Sequence, residues 1–216
     1  MIKKENISLV IADDHPMLLK GLYNEFTKNH YSVIGQAKDG MHALELILRL
    51  KPKLAILDIN MPLLTGFDVI KMIKDKGIDT KFIILSYLRE IDYIKKAKSL
   101  YINGYLLKED SFLEIEQCIE AVLNDKVYFS PSFDDFSLKN ATEELKKIKL
   151  LTPSEITILK LIALKTPNTE LANTLGVSIR TIEKHRSNMV HKLGIEGVTN
   201  SVTYWALKNK DIISNF

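Results

Sequence analysis

A single cysteine stands among 216 residues, so no internal disulfide can form. Cys118 lies within EIEQCIEAV, on a helical pattern, and reads as a packed apolar residue. Long apolar runs are absent too, and none reaches the roughly 20 residues that a membrane-spanning helix needs. The ISLVIA run near the start is too short for a secretory leader. An acidic pair follows it where the small residues of a cleavage site are expected. Repeats and low-complexity tracts are missing, and neither sign of charge prevails strongly, with 30 Lys/Arg against 27 Asp/Glu. These absences exclude a disulfide scaffold and a repeat array. They lead to the expectation of a cytoplasmic globular protein with no membrane partner, of a length suited to one ordinary domain and a smaller one.

What the chain does have is acidic residues at the ends of apolar runs. Ile7 to Ala12 stops at Asp13 and Asp14, and Leu54 to Leu57 (LAIL) stops at Asp58. Short apolar runs between helical patterns read as buried strands of a parallel sheet. Ligands of such sheets bind beyond the carboxyl ends of the strands, where strand order reverses. If the two strands are neighbours there, three carboxylates share one crevice, which is unfavourable unless a cation offsets them. Hard oxygen donors point to Mg²⁺ rather than zinc. Turns favour Asp for reasons of their own, so any one of the three can be read as merely ending a strand. His15 follows the pair, but beside Pro16 it reads as shaping the loop.

The next two apolar runs end in a hydroxyl and a cation. KFIIL (81–85) precedes Ser86, and INGYLL (102–107) precedes Lys108. Carboxylates for a metal, one more carboxylate, a hydroxyl and an ammonium together suit a phosphoryl group. The metal and Lys108 would neutralise its oxygens, Ser86 would donate a hydrogen bond, and Asp58 would be the nucleophile that becomes an acyl phosphate.

Strands expected at 7–13, 32–37, 54–58, 81–86 and 102–107 alternate with helices at 17–29, 42–50, 67–76, 91–99 and 112–124. Ser111 and Glu114 fit a capping box at the last helix. Right-handed crossovers turn this alternation into an α/β fold, a doubly wound five-stranded parallel sheet. We expect this domain to occupy 1–129, with 130–149 as a linker that is partly helical towards its end. A small all-α domain is expected over 150–216.

That last domain opens with LTPSE, in which Thr152 caps a helix, Pro153 suits its first position and Glu155 reaches back. Ile156, Leu159, Ile162 and Ala163 form its apolar face. A short helix over 170–175, a turn at Gly176 and a third helix over 178–193 read as a helix-turn-helix. On the third helix Ile182, Met189 and Leu193 form one stripe. Arg180, Lys184, Ser187 and His191 lie opposite, with Thr181 and Asn188 beside them and Lys192 close by. Donors and cations on an outward face suit the major groove of double-stranded DNA, although charged helix faces are often simply solvated. His185 lies nearer the apolar stripe and reads as a half-buried structural histidine with one hydrogen bond. Residues 1–130 carry 18 charges of each sign and 131–149 four of each, whereas 150–216 carry eight Lys/Arg against five Asp/Glu. The whole excess therefore sits beside the candidate DNA-reading helix, in keeping with nucleic acid as a partner.

The order Asp13–Asp14, Asp58 within LDINMP, Ser86, Tyr105 and Lys108 resembles the receiver domain of bacterial response regulators. Residues 151–195, with LTPSE, LGVS and RTIEKHRSNMVHKLGI, resemble the LuxR-type helix-turn-helix of the NarL/FixJ family. The resemblance implies phosphorylation of Asp58 by a partner histidine kinase. It implies Mg²⁺ held by Asp13, Asp14, Asp58 and the carbonyl of Asn60, with Ser86 and Lys108 drawn to the phosphoryl group and Tyr105 rotating inward. A homodimer acting on DNA, possible contact with RNA polymerase and a regulator rather than an enzyme follow from the same likeness.

Four departures stand out. Lys165-Thr166-Pro167 replaces the glycine turn common after the first helix of the second domain. Glu183 takes a position often held by lysine and is expected to pair with Arg186 or to accept from a cytosine. Tyr87 is bulkier than the small residue common after Ser86, and is expected to restrict access to the phosphoryl group and slow its hydrolysis. Glu109 replaces a proline, which removes the argument for a cis peptide. A DNA-binding protein without phosphorylation, a metabolite phosphatase and a ligand-sensing LuxR-type receptor are the competing classes. The intact set of polar positions, the lack of a substrate cap and the acidic crevice speak against each in turn.

Overall fold

The computed structural model describes residues 3–133, 135–197, 200–214 and 216. By packing, the chain divides into two compact units, Met1–Tyr93 with Leu100–Asp134, and Ile94–Ser99 with Asp135–Phe216.

Strands β1 (Ser8–Ala12), β2 (Ser32–Ala37), β3 (Leu54–Leu57), β4 (Lys81–Ser86) and β5 (Gly104–Leu107) of the first unit alternate along the chain with α1 (Pro16–Lys28), α2 (Gly40–Leu50), α3 (Gly66–Asp75), α4 (Ile91–Ser99, most of which packs in the second unit) and α5 (Phe112–Leu123). A two-residue strand β6 (Tyr128–Phe129) follows α5. All pairings are parallel, in the order β2-β1-β3-β4-β5-β6. The sheet therefore has six strands rather than the five expected. Two residues are too short a run to leave a period-2 signal, and what holds β6 is pairing with β5, continued by the Ser130 N–H to Tyr105 carbonyl bond of 2.8 Å. Strands β3 and β5 are buried at every position, as a sheet covered on both faces requires. Cys118 is fully buried in the core on one side of the sheet, as expected.

Local chemistry explains the helix starts. Thr65 and Asp68 form a complete capping box at α3. At α5 only half of the expected box exists. Ser111 accepts from the Glu114 N–H, but the Glu114 carboxylate instead accepts from the Tyr128 hydroxyl at 2.9 Å. Gly66 is obligatory for space, because a Cβ there would lie 2.2 Å from the Asp58 carbonyl oxygen.

The second unit contains α6 (Asp135–Lys149), α7 (Pro153–Ala163), α8 (Asn168–Leu175), α9 (Ile179–Leu193), α10 (Ser201–Lys208) and α11 (Lys210–Ile213). The partly helical linker is thus a helix of 15 residues. Lys98, on the part of α4 that packs in this unit, donates to the Leu138 carbonyl and the Thr142 hydroxyl of α6. Leu145 and Ile148 of α6 share a core with Ile158, Leu159, Ile162, Ile182, Met189, Leu193 and Trp205. Lys165, where a glycine is common, takes the left-handed conformation itself (φ 65°), so the turn survives the substitution. Gly176 closes α8 in the same conformation. All described peptide bonds are trans, including those around Glu109.

Candidate functional site

Adjacent pairing of β1 with β3, extended by the Asp58 N–H to Ala12 carbonyl bond of 2.9 Å, sets Asp13 and Asp58 side by side at the carboxyl end of the sheet. Both are buried, at 1% and 4% exposure. The Lys108 ammonium bridges them, 2.7 Å from Asp13 Oδ2 and 3.1 Å from Asp58 Oδ2. Burial works against that cation, but the hydrogen bond and charge of Asp13 together with Asp58 hold the Lys108 pKa above the usual lysine value. Burial pushes the Asp58 carboxyl above the ordinary Asp range, outweighing the opposing pull of Lys108. The Ile59 N–H donates to Asp58 Oδ1 at 2.8 Å and fixes the orientation of the carboxylate.

Asp13, Asp14 and His15 each offer a ligand atom within 4.8 Å of the others. His15 donates its backbone N–H to Asp13 Oδ1 at 2.8 Å and stands at the N-cap position of α1 without a side-chain capping bond, in keeping with a residue that shapes the loop. Asp14 Oδ1 is buried and has no hydrogen-bond partner, although His15 Nδ1 lies 2.9 Å away. A buried carboxylate oxygen without a donor is what a cation would satisfy, and the carboxylate set fits Mg²⁺. Asn60 is exposed two residues beyond Asp58.

Ser86 is 2% exposed, and its backbone carbonyl accepts from the Lys108 N–H at 3.0 Å. Its Oγ accepts from the Leu88 N–H at 3.4 Å. Tyr105 does not stand outside waiting to rotate in. Its ring is fully buried against Phe129 and Phe133, with centroids 6.1 and 5.0 Å away, and its hydroxyl donates to the Leu88 carbonyl at 2.9 Å. The aromatic lining comes from β6 and the turn after it, a segment whose packing carried no sequence signal.

On α9 the structure separates the faces as expected. Ile182, Met189 and Leu193 are buried, while Arg180, Lys184, Ser187, Asn188 and His191 are exposed. Ser178 caps the helix through the Thr181 N–H, and the two hydroxyls lie 2.8 Å apart. Lys192 instead places its ammonium 2.7 Å from the Glu155 carboxylate. Glu155 is 2% exposed and completes the Thr152 capping box. His191 Nδ1 lies 2.6 Å from Glu196. The expected Glu183–Arg186 pair does not form. The Arg186 guanidinium reaches Thr203 at 2.6 Å and Asn168 at 3.4 Å, joining α9 to α10 and α8, because Arg186 faces the interior rather than Glu183. His185 is half-buried, as expected, and its buried Nδ1 has no hydrogen-bond partner.

A doubly wound parallel sheet with this acidic crevice, followed by a capped helix-turn-helix, defines the class of DNA-binding response regulators. The family model for "Response regulator receiver domain" matches residues 9–120, and that for "Bacterial regulatory proteins, luxR family" matches 149–205. The chain is 34% identical over 205 residues to the transcriptional regulatory protein MctR of Rhizobium johnstonii, covering 94% of this chain and 95% of that one. It is 32% identical over 199 residues to YdfI of Bacillus subtilis, covering 90% and 93%. RcsB of Salmonella enterica serovar Typhimurium, solved bound to promoter rprA in the presence of phosphomimetic BeF₃⁻, superposes with a TM-score of 0.58 at 26% identity, over 97% of this chain and 99% of that one. The protein belongs to the NarL/LuxR family of response regulators, with a receiver domain and a LuxR-type DNA-binding domain. Among the described residues, no helix is long and apolar enough to cross a membrane.

Proposed function

We propose that the protein is a cytoplasmic transcription regulator whose DNA binding is switched by phosphorylation of Asp58, with a histidine kinase as donor and a homodimer as the active species. The observation that carries this reading is the Lys108 ammonium shared by two buried carboxylates, beside the Asp14 carboxylate, whose buried Oδ1 has no hydrogen-bond partner. Asp58 Oδ2 attacks the phosphorus of a phosphohistidine, the P–N bond breaks, and the imidazole leaves. Mg²⁺, held by Asp13, Asp14, Asp58 and the Asn60 carbonyl, supplies neutralisation of phosphoryl charge when bound. Lys108, already poised 3.1 Å from Asp58, offers the second cation.

The switch we propose runs along a short chain of contacts. An added charge of about −2 on Asp58 attracts Ser86. Ser86 Oγ then releases the Leu88 N–H, and Leu88 carries the acceptor of the Tyr105 hydroxyl. Moving such a two-state element from mostly off to mostly on takes about 5.5 kcal/mol, part of which dimerisation would supply. Arg180, Thr181, Lys184, Ser187 and Asn188 would read the major groove, with His191 and Lys192 nearer the phosphates. Two copies would engage half-sites about one helical turn apart. RNA polymerase is a further partner in this reading.

The test is incubation with Mg²⁺ and acetyl phosphate, followed by intact mass and size-exclusion chromatography of wild type and Asp58→Asn. One added phosphoryl group in wild type alone, with a shift to dimer, is the expected result. No uptake by wild type, under conditions that label a control receiver, would sink the phosphorylation reading.

A further inference from the structure

The Asp110 carboxylate accepts hydrogen bonds from two separate stretches of the first unit. Oδ2 takes the Leu107 N–H at 2.8 Å, while the Asp110 N–H donates to the Leu107 carbonyl at 2.9 Å. These reciprocal bonds close the turn 107–110, on which Lys108 stands. Oδ1 takes the hydroxyls of Ser130 and Ser132, each at 3.0 Å. Ser130 is fully buried, and its Oγ in turn accepts the Ser132 N–H at 3.1 Å. The Ser130 carbonyl accepts from the Phe133 N–H at 3.1 Å, and Phe133 packs edge-on against the Tyr105 ring. One carboxylate thus fastens the turn that carries the cation of the acidic site to the segment that follows β6.

From this arrangement we infer that Asp110 is a positioning residue, which sets where Lys108 stands and joins that position to residues 130–133. The inference rests on the phosphorylation reading above. Glu109 has no ring to fix its φ, so hydrogen bonds must shape the turn, and Asp110 supplies two of them. The Lys108 ammonium ends a flexible four-carbon stem, so its reach depends on where its backbone is held. That backbone is held by this turn and by the Lys108 N–H to Ser86 carbonyl bond. Drawing the ammonium towards a phosphoryl group on Asp58 pulls on the turn, and the Asp110 carboxylate passes the pull to Ser130 and Ser132. Such coupling is reciprocal in binding free energy, so a change at Ser132 is felt at the acidic site. This route shares no hydrogen bond with the one through Ser86 Oγ and Leu88.

The experiment titrates the full-length protein with beryllofluoride in the presence of Mg²⁺ and follows the bound fluoride by ¹⁹F NMR. Asp110→Ala is expected to bind about three- to tenfold more weakly than wild type, as the loss of hydrogen bonds from one carboxylate predicts. Asp110→Asn keeps an oxygen for the Leu107 N–H and offers its amide hydrogens to the serine oxygens, so it is expected to stay within about twofold of wild type. Ser132→Ala alters an exposed residue and is expected to weaken binding about two- to threefold, with no further loss in the Asp110→Ala background. A merely structural role would lower the melting temperature of Asp110→Ala and leave its affinity for beryllofluoride unchanged. Equal affinity in wild type and Asp110→Ala, or an equal Ser132→Ala effect in both backgrounds, would overturn this inference and leave the phosphorylation reading standing. If Asp110→Ala does not fold, wild-type affinity in Ser132→Ala overturns it as well. No binding by wild type, under conditions that saturate a control receiver, would overturn both.

Discussion

The Tyr105 hydroxyl donates to the Leu88 carbonyl oxygen across 2.9 Å, joining β5 to the loop that leaves Ser86. Leu88 is also the residue whose N–H reaches Ser86 Oγ, at 3.4 Å. One residue therefore touches both the hydroxyl of the acidic site and the buried aromatic ring. Burial, with Glu90 and other negative groups nearby, raises the Tyr105 phenol well above its ordinary pKa, so it remains a donor throughout the physiological range.

Removing only that hydroxyl tests the tie. Tyr105→Phe keeps the ring against Phe129 and Phe133 but leaves the Leu88 carbonyl without this donor. A loss of about 1 kcal/mol in stability is expected from urea unfolding. Hydrogen exchange in the segment 87–90 should speed up, and unchanged exchange there would show that the bond does not restrain the loop.

Cation binding at the acidic cluster is measurable without any phosphoryl transfer. Mg²⁺ should raise the melting temperature of wild type, by the equivalent of about 2.7 kcal/mol at a hundredfold excess over Kd. Asp14→Asn should weaken that response, since Asp14 Oδ1 is the buried oxygen without a donor. An equal Mg²⁺ shift in Asp14→Asn would exclude Asp14 as a ligand.

The Glu155–Lys192 pair makes the second unit sensitive to acid. Burial alone would raise the Glu155 pKa, but the Lys192 and Thr152 hydrogen bonds hold it below its ordinary value of 4.5. A depressed folded-state pKa stabilises the fold above the unfolded value, and that contribution is lost as pH falls through the folded value. The second unit should therefore weaken below pH 4.5. Trp205, the single tryptophan, sits in that core and reports its unfolding by fluorescence. Glu155→Gln should be less stable at neutral pH and flatter below it, and a wild-type dependence equally steep in Glu155→Gln would assign the effect elsewhere.

DNA affinity and domain stability should separate along α9. Arg180→Ala and Lys184→Ala remove exposed cations, and each is expected to weaken DNA binding and reduce the salt slope by about 1 while leaving the fold intact. Arg186→Ala breaks contacts to Thr203 and Asn168 and should lower the unfolding midpoint instead. Filter binding at two salt concentrations, alongside urea titration, distinguishes the two classes. Full DNA affinity in Arg180→Ala and Lys184→Ala would remove this face as the reader.

Much of the architecture was legible in residue order. Strand ends at Asp13, Asp58, Ser86 and Lys108 follow from where apolar runs stop, and the helix starts at Thr152 and Ser178 follow from hydroxyls placed before them. These are local matters, settled by side-chain chemistry within a few positions, and a sequence states them directly. Tertiary structure decided which groups meet across the chain. β6 exists because β5 offers an unpaired edge, Tyr105 is buried because Phe129 and Phe133 close over it, and Arg186 turns from Glu183 to Thr203 because α10 lies on that side. The Tyr87 ring lies over Lys108, with 5.3 Å between ammonium and ring centroid, only because β4 and β5 are neighbours, which periodicity along one strand cannot express. A hydrogen bond or ring contact between residues some 20 or 90 apart depends on the packing of the whole sheet or bundle, so it became visible only in the fold.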